Sequence, residues 1–299
     1  MAAVPHDLAA LLPNPMLDPL VREYERLSRF EQRILTRKFS KQKKVGRFLY
    51  KYRSVDGAYA DQTLEDIIVH SVLRMGSAAE FNDPFDMAAY IYAEGTEEQR
   101  RVKMSQLIRQ NGADVDGFDE TLRRFMAIPL SDFVPTLKNS QQVHRQSIGV
   151  TCFATNVRNL LMWSHYAGQH RGICLVFDTS LDFHTLAHAV RVDYLVDYPL
   201  INWIDGFEEQ IMPMLLRKHP CWSYEGERRI ILPEQAGKYL PFRPQALSSV
   251  ILGACATDRT AGLIGELLRK RADAGMPAVA TYRAALHARQ YRLVFRQNK

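Results

Sequence analysis

The sequence predicts an α+β fold built on a mixed or split β-sheet. Strand-like and helix-like segments are interspersed at irregular intervals, and no repeat period is visible. The glycine-rich phosphate loops that mark doubly wound folds are absent as well.

Taken in order, the first element is a basic amphipathic helix. At 100° per residue, Arg22, Arg26, Arg29, Arg33 and Arg37 fall within an arc of about 80°, with Leu20, Tyr24, Leu27, Phe30, Ile34 and Leu35 gathered opposite. After Gly46 the texture changes, and the aromatic run from Phe48 to Val55 reads as a strand opening the main domain. A helix is expected over Leu64 to Arg74. A turn follows at Asn82-Asp83-Pro84-Phe85-Asp86, because Asn-Asp-Pro continues neither helix nor strand. Thr96 to Phe125 reads as two helical pieces parted at Asn111-Gly112. Gly149–Ala154 and Gly172–Asp178 are buried strands on either side of a short helix from Asn159 to Ala167. Further strands are expected near Val190–Tyr194, Glu225–Leu232, Val250–Leu252, Ala278–Ala284 and Tyr291–Phe295, with a helix from Asp258 to Ala274. The expected organisation is a basic helical extension over residues 1–47, then one α+β domain over 48–299 with a helical insertion around 96–145.

Composition narrows the classes. The 299 residues are 46% hydrophobic and 24% charged, which excludes a disordered tail, a collagen-like fibre and a low-complexity linker. The formal charge is +6, but ten basic and three acidic residues lie between Val21 and Arg47. That segment carries +7 and the remainder carries −1. No apolar run approaches the roughly 20 residues that span a bilayer, so no membrane insertion is expected. The start lacks the charged and apolar regions of a secretory signal, which points to the cytoplasm, with leaderless export as an effector the other route. Cys152, Cys174, Cys221 and Cys255 are far apart and form no CxxC, so reduced core thiols are expected, with neither disulfide framework nor metal site.

Four segments carry candidate chemistry. If Tyr224 onward is a strand, period two sets Glu225, Glu227 and Arg229 on one face, where two carboxylates repel and the arginine moderates them. On the helix 159–167, Trp163 and Tyr166 share a face with His165 to one side, a pattern that equally suits core packing. Tyr52 and Arg53 lie on the opening strand, and Arg53 offers a five-donor fork for phosphate or carboxylate. The Asn82–Asp86 turn suits Asx capping better than metal binding.

In chain order, Leu49-Tyr50-Lys51-Tyr52-Arg53, Phe81-Asn82-Asp83-Pro84-Phe85-Asp86, Cys152-Phe153-Ala154, Leu161-Met162-Trp163-Ser164-His165-Tyr166-Ala167, Gly172-Ile173-Cys174 and Trp222 with Glu225-x-Glu227-x-Arg229 resemble a bacterial domain of unknown function, family 2971. The resemblance runs from about Phe48 to the C-terminus and by itself implies no activity. More distantly, the order of features is similar to the ADP-ribosyltransferase fold, which pairs a polar first-strand residue with an aromatic-bearing helix and a later glutamate around NAD. That likeness implies Glu227 as the ribose-binding carboxylate, with Glu225 beside it. It also implies Arg53 on the pyrophosphate, an aromatic face from Tyr166, and supporting roles for Tyr52, His165, Trp163 and Arg229.

The first functional expectation is therefore an NAD-consuming ADP-ribosyltransferase or NAD glycohydrolase, of toxin, effector or defence type, with NAD as co-substrate and no metal. The second is a non-enzymatic nucleic-acid module in which Arg22, Arg26, Arg29, Arg33 and Arg37 contact phosphates, the same helix also suiting a protein partner. The third is a carboxylate-pair hydrolase acting on a nucleotide or glycosyl bond.

Overall fold

A computed structural model describes residues 46–110, 117–205 and 208–297. The basic helix expected before Gly46, with Arg22, Arg26, Arg29, Arg33 and Arg37, lies outside the described residues. These divide into two compact units.

One unit takes residues 46–76, 149–192 and 221–297. Its elements are β1 (Phe48–Arg53), α1 (Ala60–Ile68), β2 (Val72–Arg74), β3 (Gly149–Phe153), α2 (Leu160–Tyr166), β4 (Ile173–Asp178), β5 (Val190–Arg191), β6 (Arg228–Leu232), β7 (Tyr239–Pro241), β8 (Leu247–Leu252), α3 (Asp258–Asp273), β9 (Ala280–Leu286) and β10 (Leu293–Gln297). Five strands form a mixed sheet in the order β1-β4-β8-β9-β10, antiparallel except between β8 and β9. Those two are joined by the α3 crossover, which parallel neighbours require. Every residue of β4 is buried, so the apolar run at 173–178 is a strand covered on both faces. Leu49, Leu175, Val250 and Leu252 pack with Ile264 and Leu267 of α3 on one side, and Tyr52, Cys174, Val176 and Ile251 pack with Met162 and Trp163 of α2 on the other.

A smaller antiparallel set is split away from this sheet. Strand β6 pairs with β3 on one side and β5 on the other. The join to the larger sheet is a single bridge in which Tyr50 and Ala154 exchange backbone bonds of 2.9 and 2.7 Å. Next to it the Lys51 ammonium is buried, donating to Thr151 Oγ1 and to the Cys152 carbonyl, each at 2.8 Å. It also lies 5.0 Å from the centre of the Phe153 ring. A lysine side chain thus continues the cross-strand bonding where the backbones stop pairing, and the split expected from the sequence is held by it.

The helix expected over Leu64 to Arg74 is shorter. It ends at Ile68, Ser71 takes φ +55°, and Val72–Arg74 pair with β7. The stop comes from far along the chain: Arg271, buried on α3, donates to the Ile68, Pro244 and Pro277 carbonyls. The expected strand over Glu225–Leu232 begins only at Arg228. No disulfide forms among the described residues, but the expectation of core thiols holds only in part, since Cys221 and Cys255 are exposed.

The second unit takes residues 77–148 and 193–220. It holds helices Glu97–Gln110 and Phe118–Ala127, as the sequence suggests, and a further helix Leu130–Ser147. Met104, Ile108, Leu122, Trp203 and Ile204 form its core, with Phe133 stacked on both Phe125 and Trp203. The Asn82–Asp86 segment is an Asx turn, with Asp83 Oδ1 accepting the Phe85 N–H at 2.9 Å, and buried Asp86 pairs with buried Lys218 at 3.3 Å. No helix among the described residues is long and apolar enough to cross a membrane.

In the first unit, the backbone passes close to itself at Gly253, whose N–H donates to the Gly172 carbonyl at 2.8 Å. A Cβ at Gly253 would stand 2.0 Å from the His170 carbonyl oxygen, a backbone atom that no rotamer change can remove. Gly253→Ala is expected to lower unfolding free energy by about 1–3 kcal/mol, read as a shifted urea midpoint at constant slope.

Candidate functional site

The segment before β6 is where the sequence reading and the structure part. Pro220–Glu225 is a 3-10 helix, and Gly226 turns the chain with φ +52°, the left-handed region that favours glycine. The corner is pinned twice. Thr155 Oγ1 donates to the Gly226 carbonyl at 3.0 Å, and Asn159 Nδ2 donates to the Tyr224 carbonyl at 2.5 Å. Asn159 Oδ1 meanwhile caps α2 through the Leu161 and Met162 N–H groups, so one amide fixes the helix and the corner together. With a corner between them, Glu225 and Glu227 do not share a strand face. The expected carboxylate pair moderated by Arg229 is replaced by two separate arrangements.

In the first, Arg229 has no exposed surface and grips Glu227 with both arms, Nε to Oε1 at 2.8 Å and a terminal nitrogen to Oε2 at 2.9 Å. Cys152 stands opposite Arg229 in the β3–β6 register, and its thiol donates to Glu227. Burial and the Glu227 charge push that thiol well above its ordinary range, so Cys152 is an unreactive neutral donor. Lys51 faces the same group. Burial first, and then Arg53, pull its ammonium well below the usual lysine value, against the opposing influence of Cys152 and Glu227. Arg53 is also depressed, first by burial and then by Arg74, and its Nε is buried without a hydrogen-bond partner.

The second arrangement lies across β1. Strand alternation sets Tyr50 and Tyr52 on the face opposite Lys51 and Arg53, among the aromatic residues that surround α2. Tyr52 donates to the Asn156 carbonyl at 2.8 Å and meets Trp163 edge-on at 5.2 Å. Trp163 has no exposed surface and spends its N–H on the Val157 carbonyl at 2.7 Å. Both are core groups, which is the packing alternative for the aromatic stripe. Half-buried Tyr166 donates its phenol to Glu225 Oε1 at 2.5 Å, and exposed His165 contacts the Tyr224 hydroxyl through Nδ1 at 3.0 Å. The His165 ring lies edge-on to both Tyr166 and Tyr224, at 6.4 and 5.7 Å.

The structure therefore brings Tyr166, His165 and Glu225 together, and separately Glu227 and Arg229, while Arg53 lies with Lys51 on the other face of β1, near Cys152. Sequence reading assigned no site role to Tyr224 or Asn159. The one signal available was Asn159 at a helix start, a capping position whose second partner lies 65 residues later.

Residues 162–230 match the family model described as "Protein of unknown function (DUF2971)". No curated protein and no solved structure matches the chain, and the ADP-ribosyltransferase likeness gains no match from these comparisons. The matched residues run from Met162 to Ile230 and so include Tyr166, Glu225, Glu227 and Arg229, leaving out Lys51 and Arg53 on β1.

Breaking a buried ion pair from one side leaves its partner's charge uncompensated, at a cost of about 3–5 kcal/mol. Glu227→Gln is expected to lose that much stability in urea unfolding. Glu225→Gln keeps an acceptor for Tyr166 and is expected to lose about 1–2 kcal/mol.

Lys51 carries a signed pH dependence. Its folded pKa lies below the ordinary value of about 10.4, so the unfolded chain binds the extra proton, and stability rises with pH from the depressed value up to that point. Lys51→Met is expected to abolish this rise, checked by comparing the two proteins' unfolding free energies across alkaline pH.

Proposed function

We propose that this chain is an NAD-consuming enzyme of the ADP-ribosyltransferase-like or NAD-glycohydrolase type, with its chemistry at Glu225 and Tyr166. The reading is carried by the 2.5 Å Tyr166–Glu225 hydrogen bond, flanked by the exposed His165 and by Tyr224. Breaking the bond between nicotinamide and ribose sends the bonding electron pair to the nicotinamide nitrogen and leaves an oxocarbenium-like ribose. A carboxylate held in place by a phenol is suited to stabilise that charge and to take the proton of the attacking hydroxyl as the new bond to C1′ forms. Tyr166, held by Glu225, offers an aromatic face, and Tyr224 widens it.

Glu227 has a different role from the one the family likeness implies. Both its oxygens are taken by Arg229, and accepting a ribose hydroxyl would give up a bond to a guanidinium that has no exposed surface. Glu227 is a positioning residue that sets where β6 begins and hence where the Gly226 corner holds Glu225. Arg53 lies on the opposite face of β1 from the aromatic group and belongs outside the reacting centre.

The test is nicotinamide release from NAD by purified protein, followed chromatographically with water, protein and nucleic acid as acceptors. Wild type is expected to release nicotinamide, Glu225→Gln to lose at least about 100-fold in rate, and Tyr166→Phe about 10-fold. Absence of release by folded wild type with every acceptor, or a Glu225→Gln rate equal to wild type, removes the reading.

A further inference from the structure

From Ala274 to Gln297 the chain holds four arginines and no acidic residue. All four lie on the β9–β10 hairpin at the outer edge of the five-stranded sheet: Arg283 on β9, Arg289 and Arg292 between the strands, and Arg296 on β10. The register pairs Arg283 with Arg296, but the Arg283 guanidinium donates to the Ala256 carbonyl, which leaves Arg289, Arg292 and Arg296 as the exposed cations of the hairpin. On the other face of the hairpin, Arg158 donates to the Leu293 carbonyl at 3.0 Å and lies 5.2 Å from the centre of the Phe295 ring. The tip is fixed by its own bonds: the His287 N–H donates to the Arg292 carbonyl at 3.0 Å, the Arg292 N–H to the Gln290 carbonyl at 2.8 Å, and the Arg289 N–H to His287 Nδ1 at 3.2 Å. Between Arg289 and Arg292, Tyr291 stands fully in solvent at 101% exposure.

Charge on an edge strand also serves to block edge-to-edge pairing. That purpose is met by either sign, and it gives no reason for three exposed arginines without an acid among them or for a bare tyrosine at the tip. We propose that the β9–β10 hairpin is a contact surface for single-stranded nucleic acid, with Arg289, Arg292 and Arg296 on phosphates and Tyr291 stacked on a base. A single strand is favoured over a duplex because a tyrosine ring needs an open base face. This inference is independent of the NAD reading and concerns a different part of the sheet.

The test is fluorescence anisotropy of the full chain with a labelled homopyrimidine strand of about 20 nucleotides, at salt concentrations between about 50 and 200 mM. Wild type is expected to bind, Tyr291→Ala to bind about tenfold more weakly, and Tyr291→Phe to keep its affinity. The triple variant Arg289→Gln, Arg292→Gln, Arg296→Gln is expected to lower the slope of log affinity against log salt by about 2. These side chains reach into solvent, so unchanged thermal midpoints accompany the losses. Absence of binding by wild type, Tyr291→Ala binding as tightly as wild type, or an unchanged salt slope in the triple variant overturns the proposal. So does tighter binding of a duplex of the same length or of a poly-glutamate peptide.

Discussion

A guanidinium with no exposed surface must be neutralised where it stands, and the arrangement around Arg229 follows from that requirement. Glu227 meets it with both oxygens, which fixes the residue just before β6 and so the point at which the strand starts. Cys152 opposite adds a thiol hydrogen bond to the same carboxylate. Gly226 then has to turn the chain sharply, since Asn159 holds the preceding Tyr224 elsewhere and Thr155 takes the Gly226 carbonyl itself. The position of Glu225 beside Tyr166 is thus set by an ion pair in which neither takes part. Buried ion pairs are weak sources of net stability, but they define one arrangement by making alternatives expensive. Here the arrangement defined is a corner.

A second constraint is the split between the sheets. Two strands that part after one bridge leave backbone groups facing a gap, and a buried polar group without a partner is costly. Lys51 resolves this by donating to Thr151 and to the Cys152 carbonyl, and its depressed pKa reflects the cost of placing an ammonium there. The same strand carries Tyr50 and Tyr52 on its other face. One six-residue strand therefore separates a cationic interior from an aromatic one, and the candidate residues are divided between them by alternation alone.

Much of the fold was legible because its periodicities are local. The fully buried β4, the short helix at 160–166 and the α3 crossover all follow from apolar spacing and flanking turn residues. The failures share a physical cause, which is control from a distance. Helix α1 stops at Ile68, whose carbonyl is taken by Arg271, a donor 203 residues away. The strand expected from Tyr224 begins four residues late because Gly226 adopts a left-handed conformation that a strand cannot use. A glycine between two glutamates reads locally as a tolerated break in alternation. The Thr155 and Asn159 contacts, 71 and 65 residues away, make it a corner. The candidate site was accordingly legible in its members and not in its grouping: Tyr166, His165 and Glu225 converge, while Glu227 and Arg229 are committed to each other.

Charge behaves in the same way. Resolved along the sequence, the net +6 becomes a +7 segment before Phe48 and a remainder of −1, which reads as a nearly neutral body. A near-zero sum is compatible with large local imbalance, because acidic residues distant in the fold cancel basic ones only in the total. The β9–β10 hairpin is such an imbalance, with four arginines and no acid over 24 residues. Screening limits the reach of any compensating carboxylate to about 8–10 Å at ordinary ionic strength, so a distant acid does nothing for the exposed Arg289, Arg292 and Arg296. The sign of a surface is decided over that length, and for this chain the hairpin is basic whatever the total charge.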